Sequence, residues 1–315
     1  MIPMNCIQLS PDMNAVTATR KLLLNLLDAI QANLAGTKEG LDNKPLHDFR
    51  VAIRRTRSVL GQLQEVFTAQ DVVTWKQAFA WLGSITGATR DLDVFLSGIE
   101  EYRSNLPDDL QHGLEGFHAN LLARQGREQE ELHRLLSTDK FHTLLREWEA
   151  FLNRDDIPDR PDARQPVTDV IRERIWPMYC QVCEEGRAIT GTSPDEDLHE
   201  LRKSCKKLRY LMELFSNLFP EQQIRPLIDS LKRLLDALGD FNDNSVQRRS
   251  LEEFIRRMRS DRMASRPVST AMDALGNELQ RRHDILRLQC KERFTAFDTE
   301  QEYRNYQQLF AASQA

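Results

Sequence analysis

The sequence predicts an all-α protein built from two related helical bundles, and three observations carry that expectation. Apolar residues recur at helical spacing through long stretches rich in Leu, Ala, Gln, Glu and Arg, and few segments alternate at period two. Glycine (13 residues) and proline (12) are scarce for a chain of 315, against usual shares of about 7% and 5%. Finally, two basic stretches, LHDFRVAIRRTR at 46–57 and LHELRKSCKKLR at 198–209, echo one another 152 positions apart.

Periodicity places helices at 13–35, 45–68, 70–87, 91–105, 108–137 and 139–153 in the first half. The second half reads 167–189, 194–218, 221–238, 243–261 and 268–300, with a short tail helix. Between them RDDIPDRPDARQP, residues 154–166, is polar and holds three prolines. Turn chemistry makes it a linker between bundles at 1–153 and 167–315. Ser193, Pro194 and Glu196 predict a capped helix start, with the proline at the first helical position and the glutamate closing a capping box. Gly87 and Gly239 stand where helices should end, and Asp91 and Asp243 where the next should begin. Trp75, Trp81, Trp148 and Trp176 fit packing anchors between helices.

The echo extends beyond the basic stretches, without gaps. Leu46, His47, Arg50, Arg57 and Phe67 match Leu198, His199, Arg202, Arg209 and Phe219, while Arg54 and Arg55 match Lys206 and Lys207 in charge. Leu82, Gly87, Asp91 and Val94 match Leu234, Gly239, Asp243 and Val246 at the same offset. Such coincidence reads as an internal duplication.

With about 100° per residue, Phe49, Ala52, Thr56, Val59, Leu60 and Leu63 fall opposite His47 and form a core stripe. Arg50, Arg54 and Arg57 fall on the histidine's side, with Arg55 flanking. In the second copy Leu201, Leu208, Leu211 and Phe215 form the core stripe. His199, Arg202, Lys203, Lys206 and Arg209 make the polar face, with Lys207 flanking. Ser58 and Tyr210 add a hydroxyl to each.

A solvated helix face usually mixes charge signs, as in RQGREQEELHR at 124–134, where such pairs contribute about 0.2–0.5 kcal/mol each. The basic helices lack that mixture: after Asp48 the next acid is Glu65, and after Glu200 it is Glu213. Packed like charges need an anion, supplied by a neighbouring helix or by a ligand. Each strip rises over about 15 Å, longer than a single phosphate requires, and offers bidentate guanidinium forks and mobile ammonium groups. Two strips related by a pseudo-twofold suit a linear polyanion.

The opening MIPMNCIQLSPDMNAV shows no signal-peptide pattern, and KLLLNLLDAI is too short and interrupted to span a bilayer. Five scattered cysteines do not make a disulfide framework, so a cytoplasmic location is expected, without a membrane partner.

These residues resemble the CHAD family, a histidine-marked α-helical domain that binds inorganic polyphosphate. The first motif runs His47-x-x-Arg50-x-x-x-Arg54-Arg55-x-Arg57, then Gly87-x-x-Arg90-Asp91-x-Asp93-Val94. The second runs His199-x-x-Arg202-Lys203-x-x-Lys206-Lys207-x-Arg209, then Lys232 and Leu238-Gly239-Asp240-x-Asn242-Asp243. The resemblance covers nearly the whole chain. It implies two bundles related by a pseudo-twofold, with both histidines and the matched Arg and Lys residues lining a central basic groove or pore. On this reading His47, Arg50, Arg54, Arg55, Arg57, Arg90, His199, Arg202, Lys203, Lys206, Lys207, Arg209, Tyr210 and Lys232 bind polyphosphate. Asp91 and Asp243 support them, and polyphosphate granules become a place of action. Ala80 stands opposite Lys232 and Asn242 opposite Arg90, so the two walls differ. The Glu-x-Glu-x-Lys of the triphosphatase domain fused to some members is missing, which fits the standalone binding form with no catalytic residue, cofactor or metal.

Other motifs carry less. Cys180-x-x-Cys183 stands alone, whereas structural zinc needs four ligands. Glu130-x-x-His133 with Glu196-x-x-His199 fits the di-iron bundle pattern, yet Glu196 is assigned to the capping box and His133 to a mixed-charge face. His112, His118, His142 and His283 read as surface or satisfied core residues. Nucleic acid is the alternative polyanion. The net charge of −5 and Tyr210 as the sole stacking platform disfavour it.

Overall fold

The computed structural model describes residues 8–104, 115–260 and 266–311, and the regular structure there is helical apart from one isolated bridge between Asn14 and Pro166. The first half holds α1 (Ala15–Glu39), α2 (Asn43–Gln62), α3 (Ala69–Ile85), α4 (Gly87–Ser104), α5 (Glu115–Leu136) and α6 (Asp139–Leu152). The second holds α7 (Val167–Ala188), α8 (Asp195–Leu214), α9 (Glu221–Ser260), α10 (Arg266–Phe297) and α11 (Glu300–Phe310). The beginning of the helix expected at 108–137, and His112, lie outside the described residues.

Local chemistry explains most helix ends. Asn14 Oδ1 accepts from the Thr17 N–H at 2.9 Å, and Asp42 Oδ1 from the Lys44 N–H at 3.0 Å. Thr68, Thr138 and Thr299 cap α3, α6 and α11 in the same way. Each satisfies a backbone donor that the first helical turn leaves unpaired. Gly40 closes α1 at φ 67°, a left-handed conformation costly for residues with a β carbon. From α5, Gln129 donates to the Thr37 and Lys38 carbonyls at 2.9 and 3.0 Å, and His133 Nδ1 lies 3.1 Å from the latter. His133 thus helps finish α1.

Helices α1 and α7 begin 152 positions apart, as do α2 and α8, α3 and α9, and the 3-10 turns Gln64–Val66 and Ser216–Leu218. The main core draws on both halves, from Phe49, Leu60 and Trp148 to Tyr179, Leu208 and Tyr306. A smaller core joins Leu92 and Phe95 of α4, Phe117 and Leu121 of α5, Leu251 of α9, and Leu275 of α10. Trp75 and Trp148 pack with ring centroids 4.7 Å apart. The stretch 154–166 is irregular but fastened down. Arg20 Nη1 donates to the Arg154 and Asp156 carbonyls at 2.7 and 2.6 Å, and Ala163 is buried.

Three expectations are corrected here. The helices foreseen at 221–238 and 243–261 are one, α9, which runs straight through Gly239. Leu234, Leu235, Leu238 and Phe241 stay buried across that glycine. Keeping such a stripe in the core, at about 1.5–3 kcal/mol per side chain, outweighs the roughly 1 kcal/mol a helical glycine costs. In the first half the interruption is at Thr86, and Gly87 opens α4 instead of ending α3. Asp91 and Asp243 therefore lie inside helices and cap nothing.

The capping box at 193–196 also does not form. Pro194 occupies the cap position of α8 without a side-chain bond. The Ser193 hydroxyl accepts from the Thr190 N–H at 3.0 Å, and its carbonyl accepts from Arg287. Asp195 accepts from His283 Nε2 at 2.8 Å and from Arg287 Nη1 at 3.0 Å. A charged donor from α10, Arg287, settles this turn, since such bonds are stronger than neutral ones.

Candidate functional site

Both basic helices bury their expected stripes. Phe49, Ala52, Thr56, Val59, Leu60 and Leu63 of the first are buried, as are Leu201, Leu208, Leu211 and Phe215 of the second. That orientation turns the cations away from the core, and α2 then packs directly against α8. Gln62 Nε2 donates to the Lys207 carbonyl at 3.2 Å, and Arg55 Nη2 to Glu213 Oε2 at 2.9 Å.

At the centre, Arg54 of α2 faces Arg202 and Lys206 of α8. Loss of water and then Arg202, Arg54 and Arg209 push the Lys206 ammonium down to about 7, against a weaker pull from Asp243. Arg202 is lowered by burial first, with Asp243 opposing and Arg54 adding to the shift. Arg50 is pushed down to about 10 by burial and then by Arg54, Asp91 opposing. Burial raises the Asp91 carboxyl, while Arg50 holds it down and Asp243 pushes it up. Asp91 and Asp243 thus sit close to cations of both basic helices, from positions inside α4 and α9.

The arginine that heads each strip lies over the equivalent glycine, and only the first has side-chain hydrogen bonds among the described residues. Arg50 Nη1 donates to Thr86 Oγ1 at 2.7 Å and to the Gly83 carbonyl at 3.3 Å. A β carbon at Gly87 would lie 3.9 Å from Arg50 Nη1, and one at Gly239 would lie 3.8 Å from Arg202 Nη2. Arg57 is exposed and lies over Gly83. Among the described residues the buried Nε–H groups of Arg50, Arg54, Arg55 and Arg202 have no hydrogen-bond partner, and that of Arg209 has only the longer ion-pair contact with Glu213 at 3.8 Å. An unsatisfied buried donor costs about 1–3 kcal/mol. Arg20, Arg160, Arg174 and Arg287 carry the same lone Nε–H elsewhere, and what sets this group apart is that its members lie on the two packed helices α2 and α8.

The histidines differ. His199 Nδ1 donates to Asn242 Oδ1 at 3.0 Å, and Asn242 Nδ2 donates to Asp243 Oδ1 at 3.3 Å. Among the described residues His47 has no such post. Removal from water, then Arg90 and Arg54, holds its imidazole below the ordinary value, with Asp48 opposing. Cavities adjoin each histidine. One of about 240 Å³ is lined by His199, Asn242, Arg248 and Arg249. The other, of about 1030 Å³, is lined by His47, Arg55, Arg209, Glu213 and Lys232 over Val51, Phe219 and Ile228.

Several expected contacts take another form. Lys203 is exposed and paired with Glu200, its own neighbour on the helix. Lys207 is exposed. The Tyr210 ring is buried and its hydroxyl unpartnered, with the Arg209 guanidinium 5.5 Å from the ring centre, so it is no open stacking platform. Ser58 Oγ accepts from Gln62 Nε2 at 2.5 Å.

Glu213 is the residue the sequence reading passed over. Its carboxylate reaches Arg55 at 2.9 Å, Lys232 Nζ at 3.5 Å and Arg209 Nε at 3.8 Å. A usable signal was present, as the lone acid four residues after Arg209. Asn242 and Thr86 were legible only as departures from the repeat.

The other motifs hold no cluster. Burial pushes the Cys183 thiol up to about 11 and raises Cys180 as well, away from reactivity. Among the described residues no group of three or more His, Cys, Asp or Glu side chains is placed to hold a metal, and no helix is long and apolar enough to cross a membrane.

A family model, that of the CHAD domain, matches residues 21–252. No curated protein matches the sequence significantly. Among solved structures, the CHAD domain from the plant Ricinus communis is similar with a TM-score of 0.75 at 22% identity, over 93% of this chain and 96% of that one. PptA from Streptomyces chartreusis is similar with a TM-score of 0.71 at 15% identity, over 90% of this chain and 100% of that one.

Proposed function

Since the chain belongs to the CHAD domain family, which in general binds polyphosphate, we propose that it binds inorganic polyphosphate along the strip where α2 and α8 meet. The observation that carries this reading is the concentration of unpartnered guanidinium Nε–H groups around Lys206. Phosphate oxygens would supply the missing acceptors, and a chain of phosphates has the length to serve both walls. Arg50, Arg54, Arg202 and Lys206 form the centre of the site, with His47 and Arg90 at one side and His199 at the other.

The bundles are halves of a duplicated unit in this reading, supported by the shared offset of helix starts and by the matched Arg50–Gly87 and Arg202–Gly239 approaches. Binding is non-catalytic, in the cytoplasm and at polyphosphate granules. The test is calorimetry of the full chain with long-chain polyphosphate, pyrophosphate and duplex DNA in a salt series. Long chains should bind most tightly. The slope of log affinity against log salt should be negative, about 0.7 per neutralised phosphate by analogy with single strands. Equal affinity for pyrophosphate, tighter DNA binding at matched salt, or phosphate release at enzyme-like rates would overturn it.

A further inference from the structure

Three of the cations that belong to the proposed strip are already occupied. Arg55 from α2, Arg209 from α8 and Lys232 from α9 converge on one carboxylate, that of Glu213 in the last turn of α8. The contact is sheltered: the side chains of Arg55 and Glu213 are 11% and 16% exposed. It lies in the wall of the larger cavity, beside His47.

The matching contact in the other half is missing. Glu213 corresponds to Gly61 at the offset of 152, and Arg55 corresponds to Lys207. A β carbon at Gly61 would meet nothing within 4 Å. Lys207 is exposed, and among the described residues it has no ion pair. One end of the strip therefore carries its own counter-ion and the other does not.

We infer that Glu213 is a specificity-determining competitor: an internal carboxylate that a polyanion must displace before it can engage Arg55, Arg209 and Lys232. Without ligand it relieves the repulsion of three packed cations. A ligand phosphate entering there meets a fixed negative charge, so only a species of high charge density, holding many other cations at once, gains from displacing it. Monovalent or short anions bind elsewhere on the strip or not at all. The inference rests on the polyphosphate reading.

Calorimetry with long-chain polyphosphate on the full chain tests it, together with thermal melts of the free protein. Glu213→Gln keeps a hydrogen-bond acceptor near Arg55 but removes the charge. It should bind about tenfold more tightly, with a salt slope steeper by about 0.7 for each newly freed contact, while melting at lower temperature without ligand. A merely structural glutamate would lower the melting temperature and leave affinity unchanged or weaker, and that result overturns the inference. Gly61→Glu provides the second arm, because it puts a carboxylate at the position equivalent to Glu213, where space is open. It should weaken binding several-fold; unchanged affinity overturns the inference even where Glu213→Gln does not fold. Wild-type protein that binds no polyphosphate sinks the function reading and this inference with it. Wild-type binding that Glu213→Gln leaves unimproved sinks the inference alone.

Discussion

His199 points its Nδ1 at Oδ1 of Asn242, 3.0 Å away, where the corresponding histidine of the first half faces Arg90. The amide is itself oriented by Asp243, to which its Nδ2 donates. With Nδ1 committed, the free Nε2 of His199 is the nitrogen left to face a ligand. Replacing Asn242 by Leu releases the ring. Affinity for long-chain polyphosphate should fall about three- to tenfold with the helical content unchanged. Calorimetry checks this, and full affinity would mean that the amide only fills space.

His47 should behave as a proton-coupled contact. Its imidazole is held below 6.5 in the free protein by loss of water and by Arg90 and Arg54. A bound polyanion acts in the opposite direction. Binding then draws a proton onto the ring, and affinity rises as pH falls between the bound and free values. Proton NMR should show a His47 midpoint that moves up toward 6.5 in Arg90→Gln and up again with polyphosphate. A midpoint indifferent to both changes refutes the coupling.

Lys206 extends the same logic to higher pH. Its ammonium sits near 7 in the free protein, against 10.5 for an exposed lysine. Phosphates beside it favour the charged form, so between about pH 7 and 9 binding should take up protons and weaken as pH rises. In the free protein the unfolded chain holds more protons on this group than the native one. Its unfavourable contribution to stability therefore shrinks from about pH 7 up to about pH 10.5, while the buried thiols, as separate groups, act the other way from about pH 8.5 upward. Lys206→Met should flatten both profiles, read by calorimetry in buffers of different ionisation enthalpy and by melts across that range.

Gly186 tests the packing that holds α7 to α10. A β carbon there would fall within the ring of Phe294. Gly186→Ala should cost about 1–3 kcal/mol through overpacking, seen as a lower urea midpoint. Polyphosphate affinity should stay the same, because neither residue lines the cavities beside the two histidines.

Helical periodicity alone determined which faces of α2 and α8 are core and which are charged, and the burial of Phe49, Leu60, Leu208 and Phe215 agrees residue by residue. That succeeds because the angular position of a side chain on a helix follows from the local rise and twist. The offset of 152 was likewise visible without coordinates, and so were the residues that resemble the CHAD family. The tertiary structure decided everything that depends on where one helix crosses another. Gly239 does not end a helix, because the core on both sides of it keeps the chain helical. Ser193 does not cap α8, because Arg287 arrives from α10 with a charged donor to its carbonyl and to Asp195. Three cations share Glu213, because α2, α8 and α9 bring them within 4 Å of one carboxylate. Charges on separate helices find partners only through the geometry of packing, and no spacing along the sequence encodes that distance.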